Sequence, residues 1–531
     1  MSDHTTVLPA QPPEPQPAPR RRGRAGLIAV VASVVAVVLI AGGGFALWRL
    51  LSGGGARPAE VLPASTLALA SVDLDPSGGQ KVEAIRTLRK FPAFRENTGI
   101  TPDSDVLESI FDRVLAEGDC SSLTYERDVK PWIGQRAGVG VVDLGGDVPS
   151  PVFVLQVSDA DNARTGFEKL ADCSGASEDD EFGWTVAGDY VVGSDSTDHA
   201  KDIVAEAEKS PLAEDAAYQR WTDEVGGDGI VNVYVGAKVG EVLGEQLTGL
   251  VQGFSGADPF AQEPGSGDDL QGQLDKALDD FEGAAASLRF DDGGIDLSVA
   301  TSRAKGTDGS TVSDHVGALP EDTAALLAGS VPAEVIDRLE ALSSEGGPFS
   351  LDEFLGETGL AFPDDLVTVL GDSLSVSLGG DAPAASDLSG PQDLPVGLLV
   401  RGDTEKIQKV IDKVQARTGQ RLEDLPATVE TGDGKLAVAT TPEYAEELVA
   451  DGSLEDSETF QDAVSHADDA LAVGYLAFSE DWLDVLRDLA QDGGGEEAVE
   501  VVDNLAEARA LGLSAWTEDK VTHGLLRLSV R

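Results

Sequence analysis

The string Gly371-Asp372-Ser373-Leu374 is the first place where the residue types suggest chemistry, because it spells the nucleophile block of one serine esterase and lipase family. There the serine sits on a turn beside a strand and gives its proton to a histidine from an Asp-x-x-His pair near the C-terminus. The later histidines miss that spacing, with Ala463 standing where His466 needs the aspartate and Lys520 where His523 needs it. Ser373 is therefore read as the beginning of a strand. Asp73-Leu74-Asp75-Pro76-Ser77-Gly78 starts like a calcium loop, but Ala84 stands where the closing bidentate carboxylate belongs, so a turn is expected. Arg401-Gly402-Asp403 has the letters of an adhesion tripeptide. It lies between a strand and a helix, where Asp403 or Thr404 serves as N-cap, as Ser158 or Asp159 does earlier in the chain.

Five His and two Cys in 531 residues are too few for a zinc ribbon, an iron-sulfur cluster or a haem attachment motif. No G-x-G-x-x-G follows a strand and no Walker-type Gly-Lys-Ser/Thr occurs. No cofactor, metal ligand or catalytic residue is assigned. Cys120 and Cys173 are expected to form a disulfide, since both lie in the exported first half and Cys120 sits in an insertion that a cross-link would pin down.

The charge balance narrows the partners. Lys and Arg total 38 against 95 Asp and Glu, a formal net charge of -57, which excludes broad attraction to nucleic acid or to anionic headgroups. The acid is unevenly placed. The first 57 residues hold six Arg against Asp3 and Glu14, so residues 58–531 carry 32 basic and 93 acidic groups, a net of −61. Among so many carboxylates the sequence cannot single out a catalytic pair.

The elements that position these residues begin with a Pro-rich cytoplasmic tail, 1–24, expected to be disordered and ending in Arg20, Arg21, Arg22 and Arg24. The uncharged run Ala25 to Trp48 follows, long enough at about 1.5 Å per residue to cross a hydrocarbon core of about 30 Å. It is expected to be a transmembrane helix and an uncleaved signal-anchor. The arginines before it place the N-terminus in the cytoplasm and the bulk of the chain outside. A linker over 49–61 leads to the exported part.

That part reads as an internal duplication, 62–303 and 319–531, joined by a linker at 304–318. Leu62-Pro63-Ala64-Ser65-Thr66 and Leu319-Pro320-Glu321-Asp322-Thr323 open the halves. Each then runs through matching strands, a strand followed by a helix (Ala160 to Leu170; Thr404 to Val414), a hairpin feeding a helix, an apolar strand and a terminal hairpin. The expected fold is α+β, with each half a mainly antiparallel sheet carrying helices on one face. The one-sided apolar pattern Val239, Val242, Leu243, Leu247, Leu250, Val251 and Phe254 is read as a helix packing on its own sheet.

The apolar anchor, the Leu62-Pro63-Ala64-Ser65-Thr66 opening, Ser71-Val72-Asp73-Leu74-Asp75-Pro76, Lys90-Phe91-Pro92 and Asp128-Val129-Lys130-Pro131-Trp132-Ile133-Gly134 resemble the actinobacterial envelope family called domain of unknown function 3352. The resemblance implies location and carries no activity, ligand or catalytic residue. The expected function is a membrane-tethered, extracytoplasmic binding or scaffold protein of the cell envelope, with an unidentified envelope protein or ligand as partner. The alternative is an exported carboxylate-dependent hydrolase, marked by two carboxyl groups converging in a pocket with one held protonated.

Overall fold

The structure is a computed structural model that describes residues 57–73, 122–173, 183–239, 281–303, 311–331, 351–421 and 427–531, apart from 147, 228, 292, 420 and 492–494, together with 83, 84, 86–92, 111 and 120. The apolar run 25–48, most of the calcium-like loop and most of the pattern from Val239 to Phe254 lie outside these residues. Among the described residues no helix is long and apolar enough to cross a membrane.

The first half supplies β1 (Thr66–Asp73), β2 (Ile133–Val142), β3 (Ser150–Val157), α1 (Ala160–Cys173), β4 (Gly183–Ala187), β5 (Tyr190–Ser194), α2 (Thr197–Ala207), α3 (Ala216–Glu224), β6 (Val231–Gly236), β7 (Gly283–Asp291) and β8 (Gly294–Ser302). The second half supplies α4 (Ser313–Gly317), β9 (Ala325–Ser330), α5 (Leu351–Thr358), α6 (Asp364–Leu370), β10 (Ser373–Leu378), β11 (Val396–Arg401), α7 (Thr404–Thr418), β12 (Thr428–Gly432), β13 (Lys435–Ala439) and α8 (Pro442–Val449). It ends with α9 (Glu458–Ala463), β14 (Ala470–Ala477), α10 (Glu480–Leu489), α11 (Gly495–Leu505), β15 (Ala508–Glu518) and β16 (Val521–Val530).

All these strands join one 16-stranded sheet in the order β12-β13-β11-β10-β9-β14-β15-β16-β8-β7-β6-β1-β2-β3-β5-β4. Every neighbouring pair is antiparallel. Read outward from the centre, each half runs through its eight strands in the same sequence. The halves therefore do not form separate sheets: the last strand of each would be an open edge, and β8 pairs with β16 along its whole length.

The register at that seam is symmetric. The turn pairs Asp291↔Gly294 and Glu518↔Val521 put Ser298 and Leu525 at the same place in their hairpins, and Leu525 pairs with Ser298. A local two-fold passes between them. The openings are also built alike. Thr66 Oγ1 donates to Pro63 O at 2.7 Å and Thr323 Oγ1 to Pro320 O at 2.7 Å, while Leu62 and Leu319 are fully buried.

The stretches read as linkers contribute packing. Pro58 and Ala59 are buried at the end of the first, and α4 in the second buries Val316 beside Val312 and Leu319. The starts of α1 and α7 fall where the sequence put them, and Asp159 and Asp403 are the caps that accept from the first-turn N–H groups.

Helices lie on both faces of the sheet, not on one. Phe153, Val191 and Val72 pack with Ala163, Trp132 and Tyr125 on one side, while their neighbours Val154, Val192 and Leu69 pack with Ile203, Trp221 and Leu212 on the other. The reason is legible in β5, whose five residues are all buried: a strand apolar on both faces has to be covered twice. Helix α1 sits close on the first side because Gly166 leaves room for Trp132, where a Cβ would fall 2.1 Å from the indole Nε1.

Candidate functional site

Directly paired residues of an antiparallel sheet point to the same face, so the register defines continuous rows across this one. One row takes a residue from every strand, from Val429 in β12 through Leu398, Val376, Leu327, Gly474 and Leu513 to Val186 in β4. Each is Val, Leu or Ala except Gly474. The face holding this row is treated differently in the two halves.

In the first half it is roofed. Phe153 stacks on Phe167 of α1 at 6.1 Å between ring centres, Trp132 meets the same ring at a tilt at 5.5 Å, and Phe153 is only 8 % exposed. With Leu62-Pro63 aligned on Leu319-Pro320, Ala70 corresponds to Leu327, and through the same pairings Val139 corresponds to Val376 and Phe153 to Leu398. In the second half Leu327 is 64 % exposed and Val376 47 %. Helix α7 covers Leu374, Val400 and Leu436 through Ile407 and Ile411, and α10 and α11 cover Leu511 and Leu528. Among the described residues no helix covers the middle.

Next to the exposed row lies a row of small residues: Gly329 pairs with Ala472, Ala472 with Ala515, Ala515 with Gly524, and Gly524 with Val299. A Cβ built on Gly329 or Gly524 would meet nothing within 4 Å. The result is a shallow apolar trough with Leu327 and Leu513 along one side and Thr517 and Thr522 along the other. Thr522 Oγ1 is buried and without a hydrogen-bond partner. Contiguous exposed apolar surface is uncommon on a folded domain, where exposed apolar residues are mostly scattered singly.

The model of a protein family of unknown function, DUF3352, matches residues 29–351. The chain belongs to the DUF3352 family. No curated protein matches it significantly. The match covers the first half and ends in α5, so the open face of this DUF3352 protein lies largely on strands beyond it.

Ser373 begins β10, after the turn at Gly371 with φ 65°. Its Oγ lies 2.8 Å from Nδ1 of His315, and Nε2 of His315 lies 2.8 Å from Ser375 Oγ. A serine-histidine contact therefore exists, but with a histidine upstream in α4 rather than with His466 or His523, which flank Trp516 in a stack of three rings. Among the described residues no carboxylate orients the imidazole, and His315 and Ser375 are 1 % and 0 % exposed, so the pair lacks the orienting group and the access that a catalytic triad needs. It is a sealed hydrogen-bond bridge, continued by Tyr444 on Ser377, that satisfies serines pointing into the core. Burial pushes the imidazole down to about 4, with Arg401 and Lys435 adding to the effect.

A polar cleft of about 500 Å³ opens at the strand ends between Thr323, Tyr475, Phe478, Arg509, Arg531 and the carboxylates Glu321, Asp322, Asp381 and Asp481. Arg509 is paired with Asp462 and Glu458. Asp296 and Glu447, the carboxyl groups that burial raises, line no part of this cleft. Among the described residues no group of three His, Cys, Asp or Glu side chains could hold a metal ion. Cys120 is 5 % exposed and disulfide-bonded, and Cys173, the other cysteine of the chain, ends α1. Asp128 of the Asp128-Val129-Lys130-Pro131-Trp132 string anchors that region. It accepts from Arg127 and Lys169 and from the Thr124 N–H, with the Arg127 hydrogen bond holding its carboxyl well below the usual range.

Sequence reasoning missed His315, because a search keyed to triad spacing looks downstream of the serine. It missed the open face too, since Leu327, Val376 and Leu398 become neighbours only through the register.

Proposed function

We propose that this DUF3352 protein is a membrane-tethered, extracytoplasmic binding protein of the cell envelope, descended from an internal duplication in which the second half has kept one sheet face open for a ligand. The unroofed trough carries the reading: in the first half Val139, the counterpart of Val376, is half-buried against the cluster of Phe153 and Trp132 that Phe167 of α1 joins, whereas the second half leaves Leu327 and Val376 in solvent. The shared strand order, the matched Thr66 and Thr323 turns and the two-fold register at Leu525 and Ser298 support the duplication. The tether is supported by the arginine asymmetry about Ala25 to Trp48 and by a family match that begins inside that run.

The test is topological. Protease added to intact, wall-stripped cells should digest the chain from residue 58 onward and spare the first 24 residues. Protection of the C-terminal part would place it in the cytoplasm and end the proposal. A hydrolase acting through the carboxylates of the polar cleft is the second reading, favoured by their number there. It expects Asp381→Asn to abolish a hydrolytic activity on envelope glycans that the wild-type exported region shows.

A further inference from the structure

We propose that the trough holds one acyl chain of a membrane phospholipid, an inference that rests on the tethered reading above. Its floor of Gly329, Ala472, Ala515 and Gly524, ending at Val299, crosses five strands, β9, β14, β15, β16 and β8. At about 4.8 Å between strands the floor is about 19 Å long. One leaflet of a hydrocarbon core of about 30 Å is about 15 Å deep, so a single extended chain fits along it.

The lining has the chemistry of hydrocarbon. No charged side chain occurs among the floor residues or along the wall of Leu327 and Leu513, and the glycines give a chain close access to the backbone. Thr517 and Thr522, on the opposite side, are uncharged as well.

The tether brings lipid within reach. The described chain begins at residue 57, and the apolar run ends at Trp48. The intervening residues, fully extended, span about 30 Å, which keeps the sheet beside the outer leaflet.

Charge decides between occupants. A second copy would bring another net −61 against the same face, and an anionic bilayer surface would be repelled as a whole. A neutral hydrocarbon chain drawn from its leaflet meets neither penalty.

The experiment reconstitutes the full chain through its anchor into phosphatidylcholine vesicles in which one acyl chain carries a diazirine. After irradiation the cross-linked residues are mapped by mass spectrometry. Cross-links are expected both in residues 25–48 and at the trough, in the peptides holding Leu327, Gly329, Leu513 and Gly524. L327Q/V376Q, which alters exposed side chains only, and G329L, which fills the floor, should each cut trough labelling at least tenfold without changing the labelling of 25–48 or the unfolding midpoint. Labelling of 25–48 with none at the trough overturns the acyl-chain proposal and leaves the tether standing. Labelling at neither place overturns both. A dimer cross-linked trough to trough, insensitive to lipid, would show the occupant to be a second copy.

Discussion

Arg527 holds Asp296 through two 2.8 Å hydrogen bonds across the pairing of β16 with β8. The pair is 15 % exposed on each side and sits two residues from the local two-fold, whose counterpart position holds His523 against Ala300. The same guanidinium reaches Asp462 O, and Arg289, paired with Asp296 across β7 and β8, binds the carbonyls of Val225 and Gly227. Charge at the seam thus ties the first half's loop after α3 to the second half's α9.

Removing one partner should expose what burial costs the other. Asp296 is raised from the usual carboxylate value, chiefly by desolvation and against the pull of Arg527. R527M should therefore lower stability at pH 7 by about 3–5 kcal/mol, because an uncompensated carboxylate remains in the sheet. A raised acid stabilises most when protonated, below its unfolded value near 4, and loses that contribution as pH climbs through its folded value. The R527M deficit should accordingly shrink at pH 5, and D296N/R527M should be more stable than R527M at pH 7. Denaturant melts giving the same deficit at both pH values would contradict the assignment.

His315 predicts a second pH dependence of opposite direction. Its folded value of about 4 lies below the ordinary 6.5, so the folded state binds fewer protons than the unfolded chain between those values. Stability is complete above pH 6.5 and falls as pH drops toward 4, by about 3 kcal/mol in all. H315Q should flatten the acid limb between pH 6.5 and 5 relative to wild type. An unchanged slope would mean that carboxylates alone set it.

Ser373 should behave as a core serine. S373A leaves a ring nitrogen of His315 without its 2.8 Å partner, a loss of about 1–3 kcal/mol. No ester hydrolysis should disappear with it, and a fluorophosphonate probe should leave Ser373 unlabelled in the wild type. Labelling at Ser373 would show that the bridge opens to substrate.

How much of this was visible in the sequence depends on range. The helix starts at Ala160 and Thr404 are local events, written in their caps, and they fall as expected. The α+β class was readable for the same reason. The merging of the halves was not, because nothing in Gly294–Ser302 or Val521–Val530 names its partner until both are known to be edges. Helices on both faces were hinted at by Tyr190–Ser194, a strand without alternation. The apolar side chains of β10, Leu374 and Val376, alternate with buried serines, and alternation alone does not say which set faces the core. In the structure the serines face the core, where His315 and Tyr444 meet them, and Val376 faces out.

The disulfide is the last expectation with a direct readout. Cys120 lies in a part of the first half that has no counterpart in the second, close in sequence to Tyr125 and Val129, which pack under Trp132 and the residues that Asp128 holds. Cys173 ends the helix whose Phe167 roofs the same cluster. A bond between them would close a loop of about fifty residues and contribute roughly 4 kcal/mol in the chain-entropy account. C120S/C173S should therefore lower the unfolding midpoint, and the loss should fall on the first half, seen as faster amide exchange around Trp132 and Phe167 with β14 to β16 unchanged. Non-reducing peptide mapping should recover one species joining the two cysteines. Two free thiols in protein isolated from the envelope would refute the pairing, and exchange that rises equally in both halves would show that the bond braces the whole sheet instead.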